Sequence, residues 1–591
     1  MKGGSMVTTA GALFPPHVLR EYSLIADGER GALIGPRGDI AWLCVPTWHD
    51  DAVFSVLLGG PGVYALAPTD RRFTWGGYYE HGTLIWRSRW VTTTGIVECR
   101  EALAFPGDRH TAVLLRRVLA VDGDAQVTVR LDVAADFGAH PMQQIGHRDG
   151  IRTLRAGPLQ VRWSGAPAAH HRSGRLEAVL DIPAGHHHDL VLEIGDNALP
   201  GTVPDPGRLW ERTEHAWHQE VPRIDGSLAD RDTRHAYAVL RGLTSSTGGM
   251  VAAATTALPE RAEQGRNYDY RYCWIRDQCY AGHAVAAAGP LPLLDDAVGF
   301  VSDRLLADGP DLKPAYTVGG GRVPDETTLD LPGYPGGDAR TGNWVNDQFQ
   351  LDNFGEALLL LAAADRHDRL DREHWKSAEI AVAAIEHRWR RRDAGIWELR
   401  NEHWAHSRLI CAAGLRAIAA AAPAPQSASW SHLADRIVTD TARDCVHHTG
   451  RWQRTPRDER VDAALLLPAL RGALPASDPR TTRTLAAVRS ELGRDGYVYR
   501  FRQDERPLAD AEGAFLLCGF LLALAEHQQG RDIDAVRWFE RNRAACGSPA
   551  LFTEEFDVIE HQLRGNLPQA FVHALLLESA HRLARPWPAD P

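Results

Sequence analysis

The stretch RNYDYRYCWIRDQCYAGHAVAAAG, residues 266–289, joins a dense polar and aromatic cluster to an alanine-rich helix. Its first twelve residues combine arginine, aspartate, tyrosine and tryptophan side chains, and burying such a mixture is costly unless each charge is paired. Arg276 and Asp277 can bind hydroxyl groups through charge-assisted hydrogen bonds, with Trp274 packed on a ring face. The alternative interpretation is a structural lattice of Arg and Asp between two domains.

Downstream of this stretch, alanine- and leucine-rich segments recur with a 3.6-residue period. One of them places Leu351, Phe354, Leu358 and Leu361 on a single buried face. About a dozen such helices favour a closed barrel of paired helices, and the absence of a repeat of about 20–50 residues argues against a solenoid. The segments predicted as helices are 228–247, 277–289, 346–365, 376–390, 403–422, 430–446, 459–471, 481–492, 511–528, 532–543 and 566–584.

The first third of the chain has the pattern of short strands separated by Gly, Pro and Asp. The triplet Asp122-Gly123-Asp124 predicts a hairpin that joins residues 112–121 and 125–134. The predicted fold class is therefore a multidomain α+β protein, with an N-terminal tail at 1–16, an antiparallel β-sandwich at 17–222 and a helical barrel at 223–587. The remaining predicted strands are 31–45, 84–92, 159–163 and 176–182.

Composition excludes several classes of function. The formal net charge is −11, with 65 Lys+Arg against 76 Asp+Glu and no basic blocks, which argues against nucleic-acid binding. No stretch reaches the roughly 18 uncharged apolar residues that a membrane span needs. The N-terminus has no signal-peptide pattern, so we expect a cytoplasmic protein. No heptad pattern informs the oligomeric state.

The cysteines and histidines do not predict a metal site. The eight cysteines are scattered without a CxxC pair and favour free buried thiols over disulfides. The run His186-His187-His188 lacks a matching carboxylate or cysteine spacing, so we predict a solvated turn there. We expect neither a metal nor another cofactor.

Three further clusters contain candidate catalytic groups. TGNWVNDQFQLD (341–352) opens a predicted helix, and GIWELR (395–400) places Glu398 directly after Trp397. A carboxyl group against an apolar aromatic has its neutral form favoured, which suits a general acid. SPALFTEEFDVIEHQLRGNLPQAF (548–571) carries adjacent glutamates in an otherwise apolar stretch, an arrangement that is unfavourable without partners.

In this order, the clusters resemble glycoside hydrolase family 15, the glucoamylase and trehalase family. RNYDYRYCWIRD is the most specific part, and DGYVYRF (495–501) with ADAEGAFLLC (509–518) follows at a family-like separation. REYSLIADGERGALIGPRGDIAWLCVPTWHDDAVFSVLLGG (20–60) is similar to the N-terminal segment of the bacterial trehalase-like members. The resemblance covers nearly the whole chain and implies a β-sandwich followed by an (α/α)6 barrel.

The resemblance also implies hydrolysis of terminal α-glucosidic bonds with inversion. In an inverting enzyme one carboxylic acid protonates the leaving oxygen, while a second carboxylate activates water on the opposite face of the sugar. Glu398 matches the acid of the family. Glu554 matches the base best, and Glu555 is the fallback.

Several other residues match substrate-binding positions of the family. Arg276 and Asp277 match residues that hold the hydroxyls of the non-reducing glucose, and Trp274 and Tyr270 match residues that line this subsite. Trp344 resembles a tryptophan that supports the acid and borders the second sugar. Trp397, beside Glu398, completes the predicted substrate-binding set.

The identity of the second sugar stays open. The sequence departs from the family pattern at Pro46-Thr47-Trp48-His49-Asp50-Asp51 and before Trp344, in regions that shape the aglycone side. The leading prediction is an inverting exo-α-glucosidase that releases β-glucose from malto- or isomalto-oligosaccharides, and the alternative is a trehalase. A disaccharide phosphorylase is disfavoured because the acidic residues around Glu554 would repel phosphate. A non-catalytic sugar-binding protein is disfavoured because both carboxylates are present.

Overall fold

A computed structural model describes residues 13–261, 265–503, 506–508 and 510–588. Most of the predicted N-terminal tail, residues 1–12, lies outside the described residues, as does Ala509 of the ADAEGAFLLC segment. Strands fill the chain from Ser23 to Gly195, and helices dominate it from Pro206 onward. The predicted fold class is confirmed: a domain rich in antiparallel sheet precedes a helical domain.

Two antiparallel eight-stranded sheets face each other across one apolar core. Along β10 buried and more exposed residues alternate, as expected for a strand with one face in a core. With strands numbered along the chain, the first sheet contains, in spatial order, β1 (Ser23–Ala26), β2 (Gly31–Ile34), β3 (Asp39–Cys44), β5 (Val63–Pro68), β10 (Ala125–Asp132), β17 (Arg175–Ile182) and β16 (His170–Arg172), with β4 (Ala52–Phe54) paired to β3. The second contains β13 (Gln143–Arg148), β14 (Ile151–Ala156), β15 (Leu159–Ser164), β18 (His187–Gly195), β9 (Thr111–Asp122), β8 (Ile96–Leu103), β7 (Trp86–Thr92) and β6 (Phe73–Tyr79), and a separate pair is formed by β11 (Ala134–Ala135) and β12 (His140–Pro141).

The hairpin predicted at Asp122-Gly123-Asp124 is wrong. Both flanking strands exist, but β9 pairs with β8 and β18 in the second sheet, whereas β10 pairs with β5 and β17 in the first. Gly123 has a φ of +69° and lies against the carbonyl of Thr94, so the chain turns sharply out of one sheet and into the other. A short Asp-Gly-Asp connection fits this crossover as well as it fits a hairpin.

The helical domain is a ring of helix pairs, and α13 packs against α3 to close it. In the described part of the chain, the inner layer contains α3 (Ile275–Ala288), α5 (Asp352–Asp365), α7 (Ala405–Ala419), α9 (Leu467–Leu470), α11 (Leu516–Gln528) and α13 (Ala570–Leu583). The outer layer contains α2 (Asp230–Leu243), α4 (Pro292–Asp308), α6 (Arg372–Arg388), α8 (Ala424–Cys445), α10 (Pro479–Ala487) and α12 (Asp532–Arg543), and α1 (Pro206–Glu220) precedes the ring.

Three helix predictions differ from the structure. One concerns α1, a helix of 15 residues inside the stretch 17–222 that was predicted as β-sandwich. The helix α4 was not predicted, although Pro292 in its first turn and the buried residues Leu294, Val298 and Val301 form a helical pattern. The segment 459–471 was predicted as one helix but forms a 3₁₀ turn, Ala463–Leu466, followed by the single turn α9. Pro468 explains the difference, because proline is tolerated only in the first turn of a helix.

Short strands connect the inner helices to the loops at one end of the barrel. Cys273 and Trp274 form β19, which pairs with β20 (Ala315–Tyr316) directly before α3. The remaining strands are β21 (Thr327–Thr328), β22 (Arg340–Thr341), β23 (Gly493–Arg494), β24 (Tyr497–Val498), β25 (Ala514–Phe515), β26 (Glu555–Asp557) and β27 (Gln562–Arg564), of which the last three form one sheet.

Arg271 links the sandwich to the barrel. Its guanidinium forms two hydrogen bonds with Asp269, at 2.9 and 2.7 Å, and both side chains are buried. The remaining terminal nitrogen donates to the carbonyl of Asp50 at 2.8 Å, in the loop after β3. Trp42 on β3 reinforces the interface, since its indole N–H donates to the carbonyl of Ala254 at 2.9 Å. Asp269 and Arg271 of the polar cluster therefore have a structural role.

Other sequence expectations can be compared directly with the structure. All eight cysteines are free thiols, and seven of them are buried, as predicted. His188 lies at the start of β18 with its Nε2 2.5 Å from the carbonyl of Gly165. No helix among the described residues combines the length and the apolar character needed to cross a membrane.

We expect Arg271→Leu to lower the free energy of unfolding by about 3–5 kcal/mol, because Asp269 would remain buried without its partner. Thermal unfolding measures the change. Arg148→Ala, which removes an exposed arginine beside Asp149, is the matched control and should have little effect. Equal melting temperatures for the two variants would contradict the assigned role of Arg271.

Candidate active site

A cavity of about 540 Å³, called here the Glu398 pocket, opens at the end of the barrel where the inner helices begin. Arg276 lies in the first turn of α3, Trp404 directly precedes α7, and Phe571 lies in the first turn of α13. The pocket is lined by Glu260, Arg266, Tyr268, Tyr270, Arg276, Asn343, Trp344, Ile396, Trp397, Glu398, Leu399, Arg400, Trp404, Arg454, Asp458, Arg460, Arg500, Phe501, Gln503, Phe515, Leu517, Glu554 and Phe571.

Glu398 lies in the loop between α6 and α7 and is held from three sides. The indole N–H of Trp274 donates to its Oε1 at 2.6 Å, and Gln348 donates to its Oε2 at 3.4 Å. Arg276 lies 3.7 Å from Oε1. The backbone of Glu398 has a φ of +54°, a left-handed conformation that is rare for a side-chain-bearing residue and common at functional sites.

The tryptophan that holds Glu398 is not the one beside it in sequence. Trp397 lines the pocket, but its indole N–H donates to Asp462 at 2.9 Å. Trp344 lies at the rim with 46% of its surface exposed. The expected packing of Glu398 against Trp397 is therefore replaced by a hydrogen bond from Trp274, which the resemblance placed only in the lining of the sugar site.

Arg276 forms part of the floor of the pocket, and Asp277 supports it from behind. Asp277 is fully buried; its Oδ2 accepts a hydrogen bond from Nε of Arg276 at 3.1 Å and lies 2.9 Å from a terminal nitrogen of the same guanidinium. The other terminal nitrogen of Arg276 donates to the carbonyl of Ile396 at 2.6 Å. Arg276 itself lines the pocket, whereas Asp277 lies behind it. The buried aspartate thus fixes the orientation of the arginine.

The structure separates the two adjacent glutamates. Glu554 lines the Glu398 pocket, and its Oε1 has no hydrogen-bond partner among the described residues. Glu555 faces away from the pocket, accepts a hydrogen bond from the backbone N–H of Gly513 at 2.7 Å and lies 3.5 Å from Arg500. Glu554 lies directly before β26 and Glu555 is the first residue of that strand, so the two side chains belong to different backbone segments.

An aromatic bridge joins the two carboxyl groups that line the pocket. The hydroxyl of Tyr270 lies 3.5 Å from Glu554, and its ring packs edge-on against Trp274 with centroids 5.5 Å apart. Trp274 in turn donates to Glu398. Residues 270–274 of the polar cluster therefore set the relative position of both carboxyl groups.

Glu260 is a pocket residue that the sequence predictions missed. It lies within hydrogen-bonding reach of Glu554, and the hydroxyl of Tyr270 is 3.4 Å from its Oε1. Arg266 pairs with it at 2.8 Å. The signal for Glu260 was its place in the segment just before the polar cluster, where its partner Arg266 also lies.

The wall around Glu554 carries more acidic than basic groups. Arg266 and Arg500 form ion pairs with Glu260, Glu512 and Glu555, and none of the ion pairs among the described residues includes Glu554. Burial raises the pKa of Glu554 well above its usual value, and the neighbouring carboxylates of Glu260 and Glu555 raise it further. The charged form of Glu554 is therefore less favoured than that of a glutamate in solvent.

The described residues contain one cluster of potential metal ligands. Ligand atoms of His447, His448 and Glu459 lie within 4.8 Å of one another. None of the three residues lines the Glu398 pocket.

Comparison with known proteins identifies the family. Residues 234–581 match the Glycosyl hydrolases family 15, and residues 15–206 match the Trehalase-like, N-terminal family. The chain belongs to glycosyl hydrolase family 15. It is a glycoside hydrolase that acts on O-glycosyl bonds.

Relatives within family 15 cover different shares of the chain. The trehalase of Mycobacterium tuberculosis is 31% identical over 97% of this chain and 90% of its own length. The trehalase of Thermoplasma acidophilum is 26% identical over 93% of this chain and 98% of its own length. The isomaltose glucohydrolase of Kribbella flavida is 28% identical over 46% of this chain and 69% of its own length.

The architecture matches that of a solved glucoamylase structure. A bacterial glucoamylase, crystallised with acarbose, superposes with a TM-score of 0.68 over 99% of this chain and 97% of its own length, at 13% identity. This likeness confirms the sandwich followed by an (α/α)6 barrel.

The excess of negative charge in this family 15 pocket predicts a change in stability. We expect Glu554→Gln to raise the free energy of unfolding by about 1 kcal/mol at neutral pH, because it removes a charge that the fold disfavours. A raised folded-state pKa means that the gain is present at high pH and vanishes below the unfolded pKa of about 4.3. Thermal unfolding at several pH values measures it.

Glu578→Gln is the control for this stability prediction. The pKa of Glu578 lies well below its usual value, because the charges of Arg471 and Arg582 outweigh the effect of burial. Replacing the carboxylate of Glu578 should therefore lower the free energy of unfolding by about 3–5 kcal/mol. If Glu554→Gln lowered the free energy of unfolding, the inferred excess of negative charge around Glu554 would be contradicted.

Proposed function

We propose that the protein hydrolyses α,α-trehalose with inversion, using Glu398 as general acid and Glu554 as general base. The observation that carries this proposal is the pair of carboxyl groups on one pocket, joined through Tyr270 and Trp274. Two positioned carboxyl groups are the minimum that an inverting glycosidase needs. Glu555 is not proposed as the base, because Gly513 and Arg500 hold it outside the pocket.

The proposed reaction begins with trehalose held by one glucose on the floor of the pocket. Arg276, oriented by Asp277, donates hydrogen bonds to hydroxyls of this glucose, and Tyr270, which packs on the buried Trp274, lines it. Glu398 gives its proton to the oxygen between the two sugars as the bond to the anomeric carbon breaks. The free Oε1 of Glu554 takes a proton from the water that attacks that carbon from the opposite face.

The choice of trehalose over malto- or isomalto-oligosaccharides rests on the relatives and on the rim. Trehalases align with nearly the whole of this chain, whereas the isomaltose glucohydrolase aligns with less than half. Beyond Glu398 the pocket is lined by Trp344, Arg400, Asp458 and Gln503, polar and aromatic groups suited to a second sugar. A cavity of about 540 Å³ is in the size range of pockets for small ligands. An exo-α-glucosidase acting on oligosaccharides is the second candidate.

The anomers formed first test the reaction. Inverting attack on one glucose of trehalose yields β-glucose, while the other glucose leaves as α-glucose with its own anomeric bond intact. We therefore expect equal initial amounts of α- and β-glucose by NMR. Exclusive α-glucose would mean retention and would overturn the mechanism, and turnover of maltose or isomaltose but not trehalose would select the second candidate.

The roles of the glutamates are tested by amide variants. Glu398→Gln and Glu554→Gln should each lower kcat by about 10²–10⁴, the contribution of a positioned acid or base. Glu555→Gln is the control at the neighbouring position. Its kcat should fall less, because the side chain of Glu555 does not reach the pocket. Full activity of Glu554→Gln with loss in Glu555→Gln would identify Glu555 as the base.

Glu260 should set the pH range in which the enzyme works. Glu554 must be ionised to act as a base, and the carboxylate of Glu260 raises its pKa. Glu260→Gln removes this charge, so the pKa of Glu554 falls and the acidic limb of the kcat/KM profile moves to lower pH. Glu512→Gln, which alters the same acidic wall but is not among the pocket-lining residues, is the comparison. An unchanged acidic limb in Glu260→Gln would show that Glu260 does not tune Glu554.

A further inference from the structure

A second cavity, of about 590 Å³, lies at the opposite end of the barrel from the Glu398 pocket. We call it the basal cavity. Inner helices of the barrel begin at the Glu398 pocket and end at the basal cavity. On α3, Arg276 lines the first pocket and His283 the second; on α13, Phe571 and Arg582 do the same. The proposed hydrolysis uses none of its residues.

The lining of the basal cavity is strongly basic. Five arginines and no aspartate or glutamate line it in the described part of the chain: Arg366, Arg416, Arg471, Arg582 and Arg585. Such an excess of one sign in a concave site concentrates ligands of the opposite charge.

Three of these arginines have carboxylate partners outside the lining. Glu578 accepts from Arg471 at 2.8 Å and from Nε of Arg582 at 2.7 Å, and Asp435 accepts from Arg416 at 2.6 Å. Within the residues described, no ion pair joins Arg366 or Arg585 to a carboxylate. Two positive charges at the cavity are therefore not neutralised by an ion pair among the described residues.

A buried histidine adds unused hydrogen-bonding capacity. His581 is 2% exposed and lines the cavity, and neither of its ring nitrogens has a hydrogen-bond partner among the described residues. Burial lowers the pKa of this histidine, and Arg585 lowers it further. Burial and the charge of Arg582 likewise lower the pKa of Arg366. A bound anion would relieve this repulsion and satisfy the free donors.

Most of the remaining lining is apolar, with His283 and His367 as further polar residues. Leu359, Ala363, Ala417 and Leu470 form part of the wall, and Trp587 lines it near Arg582, whose guanidinium lies 5.5 Å from the indole ring. The volume lies in the range of pockets for small organic ligands. A bare inorganic ion would fill a small part of it and leave the apolar wall uncovered.

We propose that the basal cavity binds a phosphate ester with a ring-shaped or apolar body. Arg366, Arg582 and Arg585 would hold the phosphate, since guanidinium groups match phosphate oxygens in geometry and charge. The body of the ester would lie against Trp587 and the alanine and leucine wall.

Isothermal titration of the full chain with glucose 6-phosphate tests this site. We expect saturable binding that weakens as salt is added, with weaker binding of inorganic phosphate and none of glucose at the same concentrations. The double variant Arg366→Ala/Arg585→Ala should bind the ester at least about tenfold more weakly, because the charge-assisted hydrogen bonds from two guanidinium groups to the phosphate are lost.

The control removes two arginines elsewhere. Arg148→Ala/Arg537→Ala loses the same charge from side chains that are 93% and 76% exposed, and should bind the ester like the parent protein. Both double variants should keep the parent's hydrolytic turnover, which shows that they are folded. Absence of binding, equal binding of glucose, or binding of inorganic phosphate as tight as that of the ester would overturn the proposal. Unchanged binding of the ester to Arg366→Ala/Arg585→Ala would also overturn the proposal, as would displacement of the bound ester by trehalose.

Discussion

The buried ion pair of Asp269 and Arg271 constrains the rest of the structure. Neither charge can be inside the protein alone, and the remaining nitrogen of Arg271 donates to groups of the sandwich: the carbonyls of Asp50 and Trp48 and the sulfur of Cys44. The sandwich must therefore dock before the cluster can be buried. The flanking residues then point the other way, so that Tyr270 and Arg276 line the Glu398 pocket. Docking of one domain thus shapes the site of the other.

The acidic wall around Glu554 lowers the stability of the fold locally, because carboxyl groups outnumber arginines there. Two arginines face four glutamates, and Glu554 keeps one oxygen without a partner. A fold selected only for stability would neutralise such a group, as Arg471 and Arg582 neutralise Glu578. The difference between these two buried glutamates marks one as structural and the other as available for chemistry.

Local patterns in the sequence predicted much of this molecule, and contacts between distant residues explain what they missed. The order of strands and helices and the helical barrel follow from hydrophobic periodicity, whereas the resemblance to family 15 indicated Glu398, Glu554 and Arg276. The partner of β9 could not be predicted, because a short turn does not specify which sheet receives the next strand. Glu260 was missed because its importance arises from proximity to Glu554, far away in sequence.

The order of the elements around the ring has a consequence for how the protein is made. Glu398 precedes α7, whereas Glu554 lies on the segment just before α13, the last helix, which packs against α3 to close the ring. Between the two carboxyl groups lie three complete helix pairs of the barrel. A growing chain therefore carries one wall of its pocket long before the other exists, and the site is completed only when the C-terminal helix docks.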